Sequence, residues 1–187
     1  CIQRTHQLVA DPTGWSSIVE GAFLDHNGVD VQRVREAVAD NLTQFLAARD
    51  PEVAKLGSAF SDAVEQLERF VLGGGKRVRP IYGWTGFVGG GGLSAGGEEP
   101  DAVLRAMSSL EFIQACALIH DDLIDASDTR RGHPTVHRAV EAMHRERGYS
   151  GDAAAFGQHQ ALLIGDLALA WADDMWRRSG VSTAALE

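Results

Sequence analysis

Acidic side chains with spacing suited to metal binding are concentrated in residues 119–132, which read IHDDLIDASDTRRG. Asp121 and Asp125 stand four residues apart, so on a helix, at about 100° per residue, their directions differ by only about 40°. Asp122 lies on the flank of this pair. Carboxylates this close repel one another unless a cation neutralises them, and all-oxygen ligation favours Mg²⁺ or Mn²⁺ over zinc. The spacing therefore predicts a divalent metal site.

Two adjacent arginines, Arg130 and Arg131, follow the aspartates after a short loop. The planar guanidinium group binds phosphate oxygens through paired hydrogen bonds, and Mg²⁺ commonly completes its shell with water and substrate phosphate. The segment thus predicts a diphosphate held by metal on one side and arginine on the other. The alternative is a solvated acidic helix end with Asp128 as a turn or cap residue, since DDxxD alone often occurs by chance.

A second basic cluster lies upstream, in the run GGGKRVRP at residues 73–80. Lys76, Arg77 and Arg79 directly follow three glycines that are expected to end a helix, where the bare backbone can approach an anion. The alternative is an ordinary glycine stop followed by an exposed basic helix start. The downstream aspartates and arginines favour phosphate binding.

Every strong apolar periodicity in the chain is helical, which predicts an all-α antiparallel array in a single domain spanning residues 1–187. The glycine-rich run at 89–100 lacks GxxxxGK[ST] and is predicted to be a loop. The predicted helices cover 31–46 with Asp30 or Asn27 as N-cap, 51–71 with an apolar stripe from Leu56 to Val71, 81–88, about 100 into the aspartates, 135–147 and 156–176.

The composition excludes several classes of protein. A formal net charge of −9 over 187 residues provides no basic face for a nucleic-acid partner. Cys1 and Cys116 are the only cysteines, which disfavours a disulfide framework and fits a reducing cytoplasm. The sequence predicts neither a membrane span nor a signal peptide. Because the chain lacks an initiator Met, residues 1–29 are read as a tag or an N-terminal extension.

The motifs GGGKRVRP and LIHDDLIDASDTRRGHPTVH together resemble the first half of a trans-isoprenyl diphosphate synthase, of the polyprenyl synthetase family. The resemblance covers residue 31 to the C-terminus. It implies the isoprenoid synthase fold, truncated at its C-terminal side, and condensation of isopentenyl diphosphate with an allylic diphosphate to a longer polyprenyl diphosphate. It also implies Mg²⁺ as cofactor, with Mn²⁺ as a substitute, and a homodimer.

The resemblance also implies a role for each motif residue. Asp121 and Asp125 are direct ligands of the metal that bridges the allylic diphosphate, and Asp122 completes the motif. Arg130 contacts the same diphosphate. Arg77 is expected to be structural or weakly electrostatic. The residues implied to hold isopentenyl diphosphate are Lys76, Arg79, Gln114 and Arg131.

Product length in this family depends on residues upstream of the first aspartate. Cys116 and Ala117 are both small, so a growing chain could pass them, whereas Ile113 and Phe112 lie one turn deeper and could form a floor. This arrangement favours a geranylgeranyl-sized product, with a longer chain as the alternative.

The roles expected of several other polar residues are less specific. His120 is expected to pack beside the metal residues and not to act as a general base. His133 and His137, four apart on a predicted helix, suggest a metal pair, but no third ligand is evident. Asp166 is expected to be structural or to line a pocket.

Family members of ordinary length continue past Glu187 with a lysine and a second aspartate-rich motif. Asp173 and Asp174 do not replace that motif, because Arg177 stands where its third aspartate belongs. The favoured reading is thus a fragment of a synthase, inactive alone. The alternatives are a non-catalytic or regulatory partner that forms a heteromer with a synthase, and a class I terpene cyclase, which GGGKRVRP disfavours.

Overall fold

A computed structural model of the protein describes residues 24–25, 28–94 and 97–186. Most of these residues are helical, as predicted, with two short antiparallel hairpins in addition. In chain order the elements are β1 (Leu24–Asp25), β2 (Gly28–Val29), α1 (Val31–Ala47), α2 (Asp50–Lys55), α3 (Ser58–Leu72), α4 (Val78–Gly89), α5 (Pro100–Ser108), α6 (Leu110–Ile124), β3 (Thr129–Arg130), β4 (His133–Pro134), α7 (Val136–Glu146), α8 (Ala153–Arg177) and α9 (Thr183–Leu186).

The N-terminus of α1 follows the sequence prediction. The Asp30 carboxylate accepts hydrogen bonds from the backbone N–H groups of Gln32 and Arg33, each at 3.1 Å, and so satisfies donors that the first turn leaves free. The other candidate cap, Asn27, lies outside the described residues, as do residues 1–23. Helix α1 is held in the core by its buried face, which comprises Val34, Ala37, Val38, Leu42, Phe45 and Leu46.

The single predicted helix over 51–71 is wrong, because the structure divides it into α2 and α3. Gly57 separates them with a φ of 94°, a left-handed conformation that a helix cannot continue. Leu56 is consequently 67% exposed and does not belong to the apolar stripe. Val64, Leu67 and Val71, which belong to the predicted stripe, are buried as predicted.

The long helix predicted from residue 100 is also divided, at Ser109. The Ser109 hydroxyl donates to the carbonyl oxygen of Ala106 (2.6 Å), and the Ser108 hydroxyl donates to that of Leu104 (2.7 Å). Serine hydroxyls that bind nearby carbonyls compete with regular helix hydrogen bonds, which accounts for the break.

The stretch Pro100–Ile124 corrects the expectation that no segment is long and apolar enough to span a membrane. By length and composition it passes that test, with a mean hydropathy of 1.4. Of that apolar window, 56% is buried inside the structure. The buried core helix of a soluble protein has the same composition, so the feature is weak evidence for a membrane segment.

Helix α8 packs against both α6 and α7 through its small residues. A Cβ at Gly157 would overlap the carbonyl oxygen of His137 on α7, and a Cβ at Gly165 would overlap the ring of His120 on α6. The large apolar side chains predicted for this helix are divided between core and surface. Ile164 is buried, whereas Leu162, Leu163 and Leu169 are 49%, 58% and 52% exposed.

We expect Gly157→Ala to destabilise the protein by about 1–3 kcal/mol, because overpacking against a fixed backbone outweighs the helix propensity gained. Gly86→Ala is the matched control: Gly86 lies in α4 with nothing within 4 Å of an added Cβ. That variant should gain roughly 0.5–1 kcal/mol. Urea unfolding measures both changes, and equal gains in the two variants would contradict the close packing of α7 on α8.

Candidate functional site

The two adjacent arginines lie in a hairpin that the all-helical prediction missed. Strands β3 and β4 pair with Thr129 opposite Pro134 and Arg130 opposite His133. Arg131 and Gly132 form the two-residue turn with φ values of 53° and 81°, as in a type I′ turn. The Arg131-Gly132 dipeptide, which begins six residues after Asp125, was the available signal.

Arg130 returns to the aspartates and forms a bidentate ion pair with Asp122. Its Nε lies 2.9 Å from each carboxylate oxygen of Asp122, and its Nη2 lies 2.8 Å from Oδ1. The same Nη2 lies 3.4 Å from an oxygen of Asp121. Hydrogen bonding to Asp122 raises the pKa of Arg130 above its usual value, so this arginine stays charged.

The prediction that three carboxylates share a metal requires a correction at Asp122. This residue is 1% exposed and both of its oxygens accept from Arg130, so it does not face a common cation. Asp121 and Asp125 are exposed, and the N–H of Asp125 donates to the carbonyl oxygen of Asp121 at 2.8 Å, as on one helical face. No three metal-ligating side chains converge anywhere in the described part of the chain.

The residues present nevertheless fit a magnesium ion bound together with a substrate. Mg²⁺ retains several waters and is usually held by one or two carboxylates plus substrate phosphates. Asp121 and Asp125 supply two carboxylates on one face, and the charged Arg130 lies beside them.

The loop of residues 73–77, here called the glycine loop, is in direct contact with residues 130–132 of the hairpin, here called the arginine turn. The guanidinium of Arg131 donates to the carbonyl oxygen of Gly74 at 2.6 Å. Gly74 and Gly75 have φ values of 91° and 153°, and a Cβ at Gly75 would lie 3.5 Å from the Arg131 guanidinium. Glycine is therefore required at Gly74 and Gly75 by the backbone. The structure thus brings together the two motifs that the sequence singled out.

The basic residues of this loop and of the first turn of α4 alternate in exposure. Lys76 and Arg79 are exposed, whereas Arg77 is 8% exposed. Arg77 donates to a carboxylate oxygen of Glu111 at 2.6 Å and to the carbonyl oxygen of Val71 at 2.8 Å. This geometry agrees with the structural role expected for Arg77.

A cavity of about 440 Å³ lies beside the arginine turn. Its wall combines arginine with apolar side chains from α3, the β3–β4 hairpin and α7, while Lys76, Arg79 and Gln114 are not part of it. The lining residues are Gln66, Arg69, Phe70, Gly73, Arg130, Arg131, His133, Pro134, Val136 and Ala139.

The four residues predicted to control product length all lie on α6 but differ in burial. Ala117 and Ile113 are exposed on α6, Ile113 at 44%, and Cys116 is partly buried. Phe112 is fully buried against the rings of Phe45 and Trp171, with centroids 5.2 and 6.2 Å away. Phe112 is therefore a core residue, and its predicted place in a floor is corrected.

His120 packs between α6 and α8, as expected. Its Nε2 lies 3.1 Å from the carbonyl oxygen of Leu162 and 3.7 Å from a carboxylate oxygen of Asp166. Its Nδ1 lies 3.8 Å from Sγ of Cys116. Cys116 is a free thiol whose pKa is raised by burial and by the charge of Asp166. Cys1 lies outside the described residues.

The prediction that His133 and His137 lie on one helix is wrong. His133 is exposed in β4, whereas His137 is buried in α7. Burial lowers the pKa of His137, and its Nδ1 lies 3.2 Å from the hydroxyl of Thr135. The Thr135 hydroxyl also donates to the carbonyl oxygen of Ser127, which anchors the loop after the aspartates to the start of α7.

The acidic pair near the end of α8 is engaged in ion pairs. Asp173 accepts from Arg177 at 2.7 Å, and Asp174 accepts from Arg178 at 2.8 Å and also from Arg49. Each of the two carboxylates is therefore balanced by at least one neighbouring arginine.

The helical array and the joined motifs match a known class of protein, the all-α isoprenoid synthases. The family model for polyprenyl synthetase matches residues 61–186, and the chain belongs to that family. A geranylgeranyl pyrophosphate synthase from Corynebacterium glutamicum, crystallised with isoprenyl diphosphate and magnesium, superposes with a TM-score of 0.82 at 54% identity. The match covers 84% of this chain and 44% of that one.

Curated relatives agree with this family but differ in the products that their names state. Geranylgeranyl pyrophosphate synthase 12 of Arabidopsis thaliana is 37% identical over 59% of this chain and 25% of its own length. Octaprenyl diphosphate synthase of Escherichia coli is 27% identical over 74% of this chain and 35% of its own length. The chain thus spans about a quarter to a third of the length of these relatives.

Proposed function

We propose that the protein carrying this chain is a prenyltransferase that condenses isopentenyl diphosphate with an allylic diphosphate. The observation that supports this most directly is the contact of three parts: the aspartate helix, the arginine turn and the glycine loop. Arg130 binds the aspartates and Arg131 binds the loop, so cationic and anionic groups surround one region. Two diphosphates and a bridging metal ion would neutralise these groups.

Each part has a task in the condensation. Asp121 and Asp125 would hold Mg²⁺, which, when bound, stabilises negative charge on the departing diphosphate. Arg130, fixed by Asp122, supplies a preorganised positive charge at the same place. The allylic carbon–oxygen bond breaks and its electrons leave with the diphosphate. The double bond of isopentenyl diphosphate then attacks the allylic carbocation and forms the new carbon–carbon bond. The resulting cation gives up a proton, which the departed diphosphate can accept, and a new double bond forms.

The second substrate would be held by the other basic groups. Lys76, Arg79 and Arg131 are proposed to bind the diphosphate of isopentenyl diphosphate, with Gln114 on α6 beside them. Lys76 is exposed on the loop that Arg131 contacts, and Arg79 is exposed in the first turn of α4 directly after that loop, which supports this assignment. No protein nucleophile is required.

We expect Ala117→Phe to shorten the product, because an aromatic ring on this exposed position of α6 would block a growing chain. The proposed product of the unchanged protein is geranylgeranyl-sized. Chain length is read by chromatography of the dephosphorylated products. Ala142→Phe, at an exposed position of α7, is the control and should leave the product unchanged. An unaltered product from Ala117→Phe would remove this proposal.

The test of the function is a condensation assay with radiolabelled isopentenyl diphosphate, an allylic diphosphate and Mg²⁺. It is run on this chain and on the longest open reading frame of its gene. Product from the longer form alone supports a synthase in which this 187-residue piece is inactive by itself. Product from neither supports a non-catalytic partner or regulatory subunit. A cyclised product would support a terpene cyclase.

We also propose an assembly state and a cellular location for the protein. A homodimer is proposed, or a heteromer with another synthase chain, because Leu162, Leu163 and Leu169 leave apolar surface exposed on α8. Cytoplasmic location without stable membrane insertion is proposed from the composition. Light scattering of the purified full-length protein would test the assembly.

A further inference from the structure

The buried arginine of the glycine loop is arranged differently from its neighbours. Arg77 adopts a left-handed conformation with a φ of 49°, which is uncommon for a residue with a side chain. This conformation directs the Arg77 guanidinium into the protein while Lys76 and Arg79 remain exposed. The backbone conformation of Arg77, the N-cap residue of α4, therefore determines that its side chain is buried while those of Lys76 and Arg79 are exposed.

The partners of Arg77 join three elements. Its guanidinium binds the carbonyl oxygen of Val71 at the end of α3 and the carboxylate of Glu111 in the first turn of α6. The Arg77 and Glu111 side chains are only 7% and 10% exposed. A charge pair this buried is held in one geometry, because each charge would lie unpaired in the protein if the contact opened.

Glu111 lies on the same face of α6 as Gln114. Residues three apart on a helix lie on one face, so Glu111 is the neighbour of Gln114, one turn before it. The ion pair therefore fixes the glycine loop to the side of α6 that carries Gln114. A second tether holds the same loop from outside, since Arg35 donates to the carbonyl oxygen of Lys76 at 3.2 Å.

We infer that the Arg77–Glu111 ion pair is a positioning pair for isopentenyl diphosphate: it sets the place of Lys76 and Arg79 relative to Gln114 without touching the substrate. This inference rests on the proposed function and deepens it. The inference predicts an effect on one substrate only. The aspartates and Arg130, which are proposed to bind the allylic diphosphate, are held by a separate ion pair at the other end of α6. Loss of Arg77–Glu111 should therefore affect one substrate and not the other.

The test measures both KM values and kcat in the full-length protein with Arg77→Met and with Glu111→Gln. We expect KM for isopentenyl diphosphate to rise about 10-fold or more in each, with KM for the allylic diphosphate changed less than about 3-fold. Arg77→Lys retains a charge for Glu111 but loses the fork that also reaches Val71, so it should be intermediate. Arg177→Gln, which removes an exposed arginine of α8, is the control and should change neither KM.

A double variant, Arg77→Met with Glu111→Met, separates positioning from stability. It removes both buried charges, so thermal stability should recover relative to the single variants, while KM for isopentenyl diphosphate stays high. Recovery of KM together with stability would overturn the inference, as would unchanged KM values in the single variants. If the unaltered protein neither condenses nor binds isopentenyl diphosphate in calorimetry, the proposed function itself fails and the inference fails with it.

Discussion

Replacement of Asp121 or Asp125 by asparagine should reduce condensation by about 10³-fold or more. Each substitution removes a carboxylate from the exposed pair, and loss of several kcal/mol of charge stabilisation in the transition state corresponds to that factor. The initial rate with saturating substrates and Mg²⁺ measures the effect. Calorimetric titration of the allylic diphosphate with and without Mg²⁺ should show that the metal-dependent gain in affinity is lost.

Asp128→Asn is the matched control for these two variants. Asp128 lies in the same acidic segment, is 72% exposed and binds Arg138 at 2.7 Å, away from the paired carboxylates. We expect its activity to stay within about threefold of the unaltered protein, since exposed ion pairs contribute little. Equal losses of activity in all three variants would mean that condensation depends on the total negative charge of the segment and not on the Asp121–Asp125 pair.

Asp122→Asn should lower the free energy of unfolding by about 3 kcal/mol, near the lower end of the range for breaking a buried ion pair. Asp122 is almost fully buried, whereas the Arg130 side chain is 27% exposed, so water relieves part of the cost to the arginine. Condensation should fall as well, because Arg130 loses its fixed orientation. Urea unfolding followed by tryptophan fluorescence measures the stability change.

Asp173→Asn serves as the control for that measurement. Asp173 and Arg177 form an ion pair in which both side chains are more than 60% exposed. Its removal should change the free energy of unfolding by less than about 0.5 kcal/mol. A similarly small change in Asp122→Asn would show that Asp122 is available for another role, such as the direct metal ligation that the sequence suggested.

Local patterns in the sequence predicted much of this structure. The Asp30 cap, the buried stripe of α1 and the glycine stop after α3 all depend on residues within one or two turns. The breaks at Gly57 and Ser109 were missed because the apolar periodicity continues across them. A glycine with a positive φ, such as Gly57, or a serine whose hydroxyl binds a nearby carbonyl oxygen, such as Ser109, leaves almost no trace in such a pattern.

The sequence predicted which residues form the candidate site but not how their side chains are oriented. The spacing of Asp121 and Asp125 follows from helix geometry, and the structure retains it. The burial of Asp122 depends on Arg130, which reaches it only because a hairpin turns the chain back. Phe112 was misplaced for a similar reason, since its neighbours Phe45 and Trp171 come from distant helices. Contacts of this kind are fixed by tertiary structure and cannot be read from local spacing.

The absence of a side chain at Gly165 affects the candidate metal site from another helix. The His120 ring occupies the volume that a Cβ there would fill, and His120 directly precedes Asp121 in the chain. Even the smallest enlargement of α8 at this point would push the ring, and with it the first carboxylate of the pair, away from their present places. The position of the Asp121 carboxylate could therefore be changed by substitution at Gly165, with every charged residue left intact.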